Sequence, residues 1–62
     1  MKNQIIELVK IGFENGFYSI NDLKNHNTYA ADIQAALGEG EIGEIESLVI
    51  AAQDIVLAEI GK

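Results

Sequence analysis

The chain has no cysteine, no proline and no tryptophan, and a single histidine. Without cysteine, disulfides and thiolate metal sites are excluded, and the redox compartment cannot be read from the sequence. One histidine excludes a histidine-rich metal centre. Without proline, no helix need be broken by it, and turns fall to Gly, Asn and Ser. Cations are also scarce: Lys2, Lys10, Lys24 and Lys62 stand against ten acids, for a formal net charge of −6. No Lys or Arg occurs between Asn25 and Gly61, a stretch that holds seven acids. Duplex-binding and anionic-membrane surfaces need clustered Lys and Arg, so both are disfavoured. The longest apolar run is five residues, Leu48 to Ala52, far short of the ~20 that a membrane span requires. Glu7 and Lys10 interrupt the N-terminal pattern, so no signal-peptide core is expected, and the expected location is cytoplasmic.

What is present is aliphatic. Of 62 residues, 48% are hydrophobic and only 6% aromatic, a balance suited to close-packed helices. A chain of this length makes one small domain, 1–62, and buries only about 60% of the surface its unfolded form exposes. With disulfides and metals set aside, association with another chain is the remaining usual source of stability.

The pattern predicts four helical segments and an all-α bundle of three to four helices. Asn3 to Asn15 places Ile5, Leu8, Val9, Gly12 and Phe13 near one face, with Ile6 on its flank. Asn15-Gly16 ends it, and Phe17-Tyr18 is expected to fold back on it. Ser19-Ile20-Asn21-Asp22 reads as a capping box with Asp in place of Glu. It opens a short helix to about Asn25, with Ile20 and Leu23 inward. Asn25 to Thr28 is turn chemistry. Tyr29 to Leu37 follows, with Tyr29, Ala30, Ile33, Ala36 and Leu37 on one side, and Gly38 ends it. Glu39-Gly40 is a hinge. The last and longest helix runs from about Glu41 to Ile60, its regular part beginning near Glu44 because Gly43 weakens the first turn.

That last helix organises the reading. Ile42, Ile45, Val49, Ala52 and Val56 recur at three and four spacing, a short heptad-like seam widened by Leu48 and Ile55. Ile50 and Leu57 lie on another flank, and only Glu46, Ser47, Gln53, Asp54 and Glu59 interrupt the apolar cover. A helix apolar on more than one face is central in a core or shared with another chain. The expectation is a homodimer paired about a two-fold axis through Ile45, Leu48, Val49, Ala52, Ile55 and Val56.

Among polar groups, the acidic run Glu39, Glu41, Glu44 and Glu46 is the first candidate site. Carboxylates in a first helical turn suit the helix dipole, and they could equally meet a basic partner. Their spacing matches no calcium loop. Glu46-Ser47-Leu48 is similar to the Asp-Ser-Leu signature of acyl carrier proteins, over three residues with one changed. Only fifteen residues follow Ser47, where carriers need roughly half their chain. Tyr29 to Gly38 looks like the first helix and turn glycine of a helix-turn-helix, but the next helix offers Glu44, Glu46, Ser47 and Gln53 and no cation to the bases. His26 reads as an exposed turn histidine with no nucleophile or carboxylate beside it in sequence. Tyr18, Tyr29, Phe13 and Phe17 read as core and core-edge rings. Gly38, Gly40 and Gly43 lack the GxGxxG spacing of a phosphate loop.

These features predict a small acidic interaction protein without enzymatic activity or cofactor. It would be a homodimeric regulator or inhibitor of a protein with a basic surface, similar in size and charge to compact phage and mobile-element products. The alternative is a divergent helix-turn-helix DNA-binding regulator.

Overall fold

The computed structural model describes residues 1–61; Lys62, expected to trail the last helix, lies outside them. The chain is all-helical, with four helices in the order α1 (Lys2–Glu14), α2 (Ile20–Lys24), α3 (Ala30–Leu37) and α4 (Ile42–Ile60). There is no strand among the described residues. Each of the first three helices packs against α4, whereas α1 and α3 touch one another only slightly.

The local reasons are legible helix by helix. The Asn15 side-chain amide donates to the Ile11 carbonyl at 2.9 Å and closes α1. The backbone then doubles back, with the Phe17 and Tyr18 N–H groups both donating to the Gly12 carbonyl. Tyr18 is thereby driven into the core, 1% exposed, while Phe17 stays half outside. The capping box forms as expected: the Asp22 N–H donates to Ser19 Oγ and the Ser19 N–H to Asp22 Oδ2, each at 3.0 Å. Because α2 is little more than one turn, it inserts one side chain, Leu23. Ile20, expected to point inward with it, is 45% exposed. Tyr29 does not begin α3 but caps it in a left-handed conformation (φ 50°, ψ 45°), with its ring at the surface. Gly43 does not delay α4, which starts at Ile42 with Glu41 as N-cap.

The core is one cluster: Ile5 and Val9 from α1, Tyr18, Leu23, Ala30 and Ile33, and Ile45, Val49, Ala52 and Val56 from α4. Four of the residues expected at the dimer seam, Ile45, Val49, Ala52 and Val56, belong to this cluster. Three short helices are enough to cover one face of α4. Ile45, Val49, Ala52 and Val56 are at most 2% exposed within the single chain. Of the remaining seam residues, Leu48 is half-buried, while Ile55 and Ile42 are open to solvent. The Cα radius of gyration is 10.4 Å. That is close to the ~11 Å expected for a compact domain of this length.

Two glycines give this packing a test with opposite signs. A Cβ on Gly12 would meet Tyr18 Cδ2 at 2.9 Å and Cε2 at 3.3 Å. The Tyr18 ring cannot swing aside, because it is buried and its hydroxyl donates to the Thr28 carbonyl. A Cβ on Gly43 would meet nothing within 4 Å. Gly12→Ala is therefore expected to destabilise by about 1–3 kcal/mol through overpacking. Gly43→Ala should stabilise by about 0.5–1 kcal/mol through the lost chain entropy of glycine. Thermal unfolding followed by circular dichroism should show the two midpoints moving apart by roughly 4–8 °C per kcal/mol.

Candidate functional site

The α3–α4 connection forms one end of the molecule. Gly38 caps α3 in the left-handed region, and the Gln34 side-chain amide donates to the Gly40 carbonyl at 2.7 Å, pinning the turn to the helix it leaves. Gly40 itself has φ +96°, and a Cβ there would lie 3.0 Å from Met1 Cε and 3.1 Å from Ile45 Cδ1. Both the backbone conformation and the space call for glycine. The start of α1 and the start of α4 thus meet at this turn.

Glu39, Glu41, Glu44 and Glu46 are all exposed at this end. They surround the start of α4 rather than share a face. Glu39 is in the turn, Glu41 is the N-cap, and Glu44 and Glu46 lie two residues apart, about 200° round the helix. None takes part in an ion pair among the described residues, where the pairs are Lys10–Glu59 at 3.2 Å and His26–Asp54 at 2.8 Å. Nor do they gather for a cation: no group of three or more metal-ligating side chains is arranged to hold one among the described residues. Ser47 donates to the Gly43 carbonyl one turn back at 3.2 Å, a bond within its own helix. The α3–turn–α4 unit has helix-turn-helix connectivity, but the exposed side of its second helix carries Glu44, Glu46 and Ser47. Carboxylates there would face phosphates of their own sign.

A second cluster was not legible in the sequence. The α2–α3 loop, Asn25 to Tyr29, holds two non-glycine residues at positive φ, His26 at 56° and Tyr29 at 50°. Such conformations cost roughly 1–2 kcal/mol each and persist when the surroundings over-determine them. Here they do. His26 Nε2–H donates to Asp54 Oδ1 on α4 at 2.8 Å. Gln53 Nε2 donates to the Asn27 carbonyl at 2.8 Å, and Tyr18 donates to the Thr28 carbonyl. Asn27 Nδ2 and the Tyr29 hydroxyl both donate to Asp22 Oδ1, at 2.9 and 3.2 Å. The His26–Asp54 pair is exposed, and an ion pair of that kind contributes little to stability. Its partner lies 28 residues away, which is why His26 read as solitary.

These bonds move the ionisation of their members. The Ser19 backbone N–H and then the Asn27 amide hold the Asp22 carboxyl down at about 2. Burial pushes the Tyr18 hydroxyl up to about 12, with Asp32, Tyr29 and Asp22 adding to it. Tyr29 is raised by its bond to Asp22. The rings of Phe17, Tyr18 and Tyr29 pack edge-on or tilted with centroids 5.1–5.6 Å apart. Packed that closely they support each other and leave no cage for a cation.

Gln53 is the least anticipated member. It reads as a polar break on α4, yet it is 0% exposed, with its amide donating to the Asn27 carbonyl. Its Oε1 has no hydrogen-bond partner among the described residues. No membrane-spanning helix is present: none among the described residues is long and apolar enough. Comparison with protein-family models, with curated proteins and with solved structures finds no match.

Gln53→Glu tests the buried tie. A carboxylate there would face the Asn27 carbonyl and lose its water, so its folded pKa is raised. The variant should lose at least about 3 kcal/mol at pH 7. A raised pKa means that stability is retained below the unfolded value, near 4.3, and lost as pH rises through the folded value. Urea unfolding of the variant should therefore show its deficit against the wild type shrinking from pH 7 to pH 4.

Proposed function

We propose that the chain is a small non-enzymatic interaction protein that binds a basic surface of another protein and regulates or inhibits it by covering that surface. The supporting observation is the acidic end: four exposed carboxylates around one turn, unpaired among the described residues, in a stretch from Asn25 to Gly61 without Lys or Arg. A field of one sign speeds encounter with the opposite sign and selects against DNA and anionic membranes.

The homodimer enters this proposal with a different surface from the one expected. Because Ile45, Val49, Ala52 and Val56 serve the core, α4 can offer a second copy only its outer flank, with Leu48, Ala51, Ile55 and Ala58. Sedimentation velocity across micromolar concentrations reads the association. Ile55→Asp should shift it to monomer without changing the thermal midpoint by more than a few degrees. A wild type that stays monomeric removes the dimer from the proposal.

The acidic end is tested by fluorescence anisotropy with Lys- and Arg-rich peptides at 50 and 300 mM salt. Binding should weaken with salt. The double variant Glu41→Gln/Glu44→Gln should lose about tenfold, roughly 1.4 kcal/mol. Glu14→Gln/Glu59→Gln, with the same change in net charge, should lose much less. Equal losses would show that net charge alone is responsible and defeat the reading.

A further inference from the structure

The cleft between α1 and α3 is where the bundle lacks a second layer. Both helices lean on α4 and touch each other slightly, and between them lies a groove of about 440 Å³. Asn3, Gln4, Glu7 and Leu8 line one wall, and Ala36 and Leu37 the other. Leu8 and Leu37 are half-buried against the core, so the floor is apolar and rests on rigid packing. Ile11 continues the apolar line along α1, one turn beyond Leu8, and is 47% exposed.

The charge in the groove lining is negative. Glu7 is the only charged residue in its lining among the described residues, and Glu39 and Glu41 stand two and four residues after Leu37. The nearby cations are directed elsewhere. Lys10 is bound to Glu59 on α4, and Lys2 lies about 140° round the helix from Glu7. An apolar floor with an acidic rim along a helix edge has the form of a groove for an amphipathic helix. Such a helix would present aliphatic residues on one face and cations beside them.

From this juxtaposition we infer that the α1–α3 groove is the docking site for a basic amphipathic helical segment of the partner protein. The segment seats an aliphatic side chain on Leu8 and Leu37 and sets a Lys or Arg beside Glu7, with further cations toward Glu39 and Glu41. This rests on the proposal of a basic partner and assigns that partner a place. The acids at the end of the molecule then steer the partner, and the groove holds it.

The test uses three labelled 14-residue helical peptides with the intact protein. One carries Leu anchors at i and i+4 beside Lys and Arg, the second has the anchors changed to Ser, and the third has the cations changed to Glu. Anisotropy reads affinity and amide chemical shifts read location. The first peptide should bind and shift Gln4, Glu7, Leu8, Ala36 and Leu37, and the second should bind at least about tenfold more weakly. Ala36→Arg places a bulky cation on the exposed groove wall. It should abolish binding while leaving the helical circular dichroism unchanged, and Glu7→Gln should weaken binding several-fold. If the first peptide binds but shifts residues around Glu44 and Glu46 instead, and Ala36→Arg has no effect, the groove assignment fails while the basic-partner reading stands. If the acidic peptide binds the groove as tightly as the basic one, the basic partner itself is wrong. Groove shifts that appear with protein concentration alone would mean that a second copy occupies it, and no binding of the first peptide at millimolar concentration also overturns the inference.

Discussion

Everything in this structure depends on one stripe of α4. The helices α1, α2 and α3 all pack against α4, whose buried apolar residues are Ile45, Val49, Ala52 and Val56. The three shorter helices have few contacts with each other, and a five-residue helix such as α2 has no stability of its own. Their order comes from burying Ile5, Val9, Leu23, Ala30 and Ile33 against that stripe. Removing apolar surface from water is the main favourable contribution available to a chain without disulfides or metals.

The same economy decides where polar groups go. The loop between α2 and α3 must cross the α4 stripe without a regular partner for its backbone. Its carbonyls at Asn27 and Thr28 are therefore served by side chains, Gln53 and Tyr18. Backbone acceptors shielded from water without partners are costly, and these part-buried bonds give the Gln53 amide and the Tyr18 hydroxyl their place beside an aliphatic core. The left-handed conformations of His26 and Tyr29 follow from those anchor points.

Because the core is concentrated on one face of α4, two kinds of surface are left over. One is the acidic turn where α3 meets α4, held in place by Gln34, Gly40 and Met1. The other is the cleft between α1 and α3, which exists because both helices are committed to α4. They lie next to each other, since Leu37 lines the cleft and Glu39 follows it two residues later.

Much of the fold was legible because it is set by local chemistry. The spacing of Ile5 and Val9, the Ser19–Asp22 capping box, the glycine after Leu37 and the apolar period of α4 each act over three to seven residues. Exposure of Glu39, Glu41, Glu44 and Glu46 was legible for the same reason, since charges at a helix start remain solvated. What only the tertiary structure decided are the relations between distant residues. Sequence periodicity shows that α4 has an apolar face but not whether that face is met by its own chain or by another. Within the single chain three short helices cover it, and Val49 is buried in the core. Likewise Gln53 is polar by type and buried by position, and His26 meets Asp54 across 28 residues. Helical period and capping are written in neighbouring residues, whereas the partner of a buried amide or of an apolar face is fixed only when the chain closes on itself.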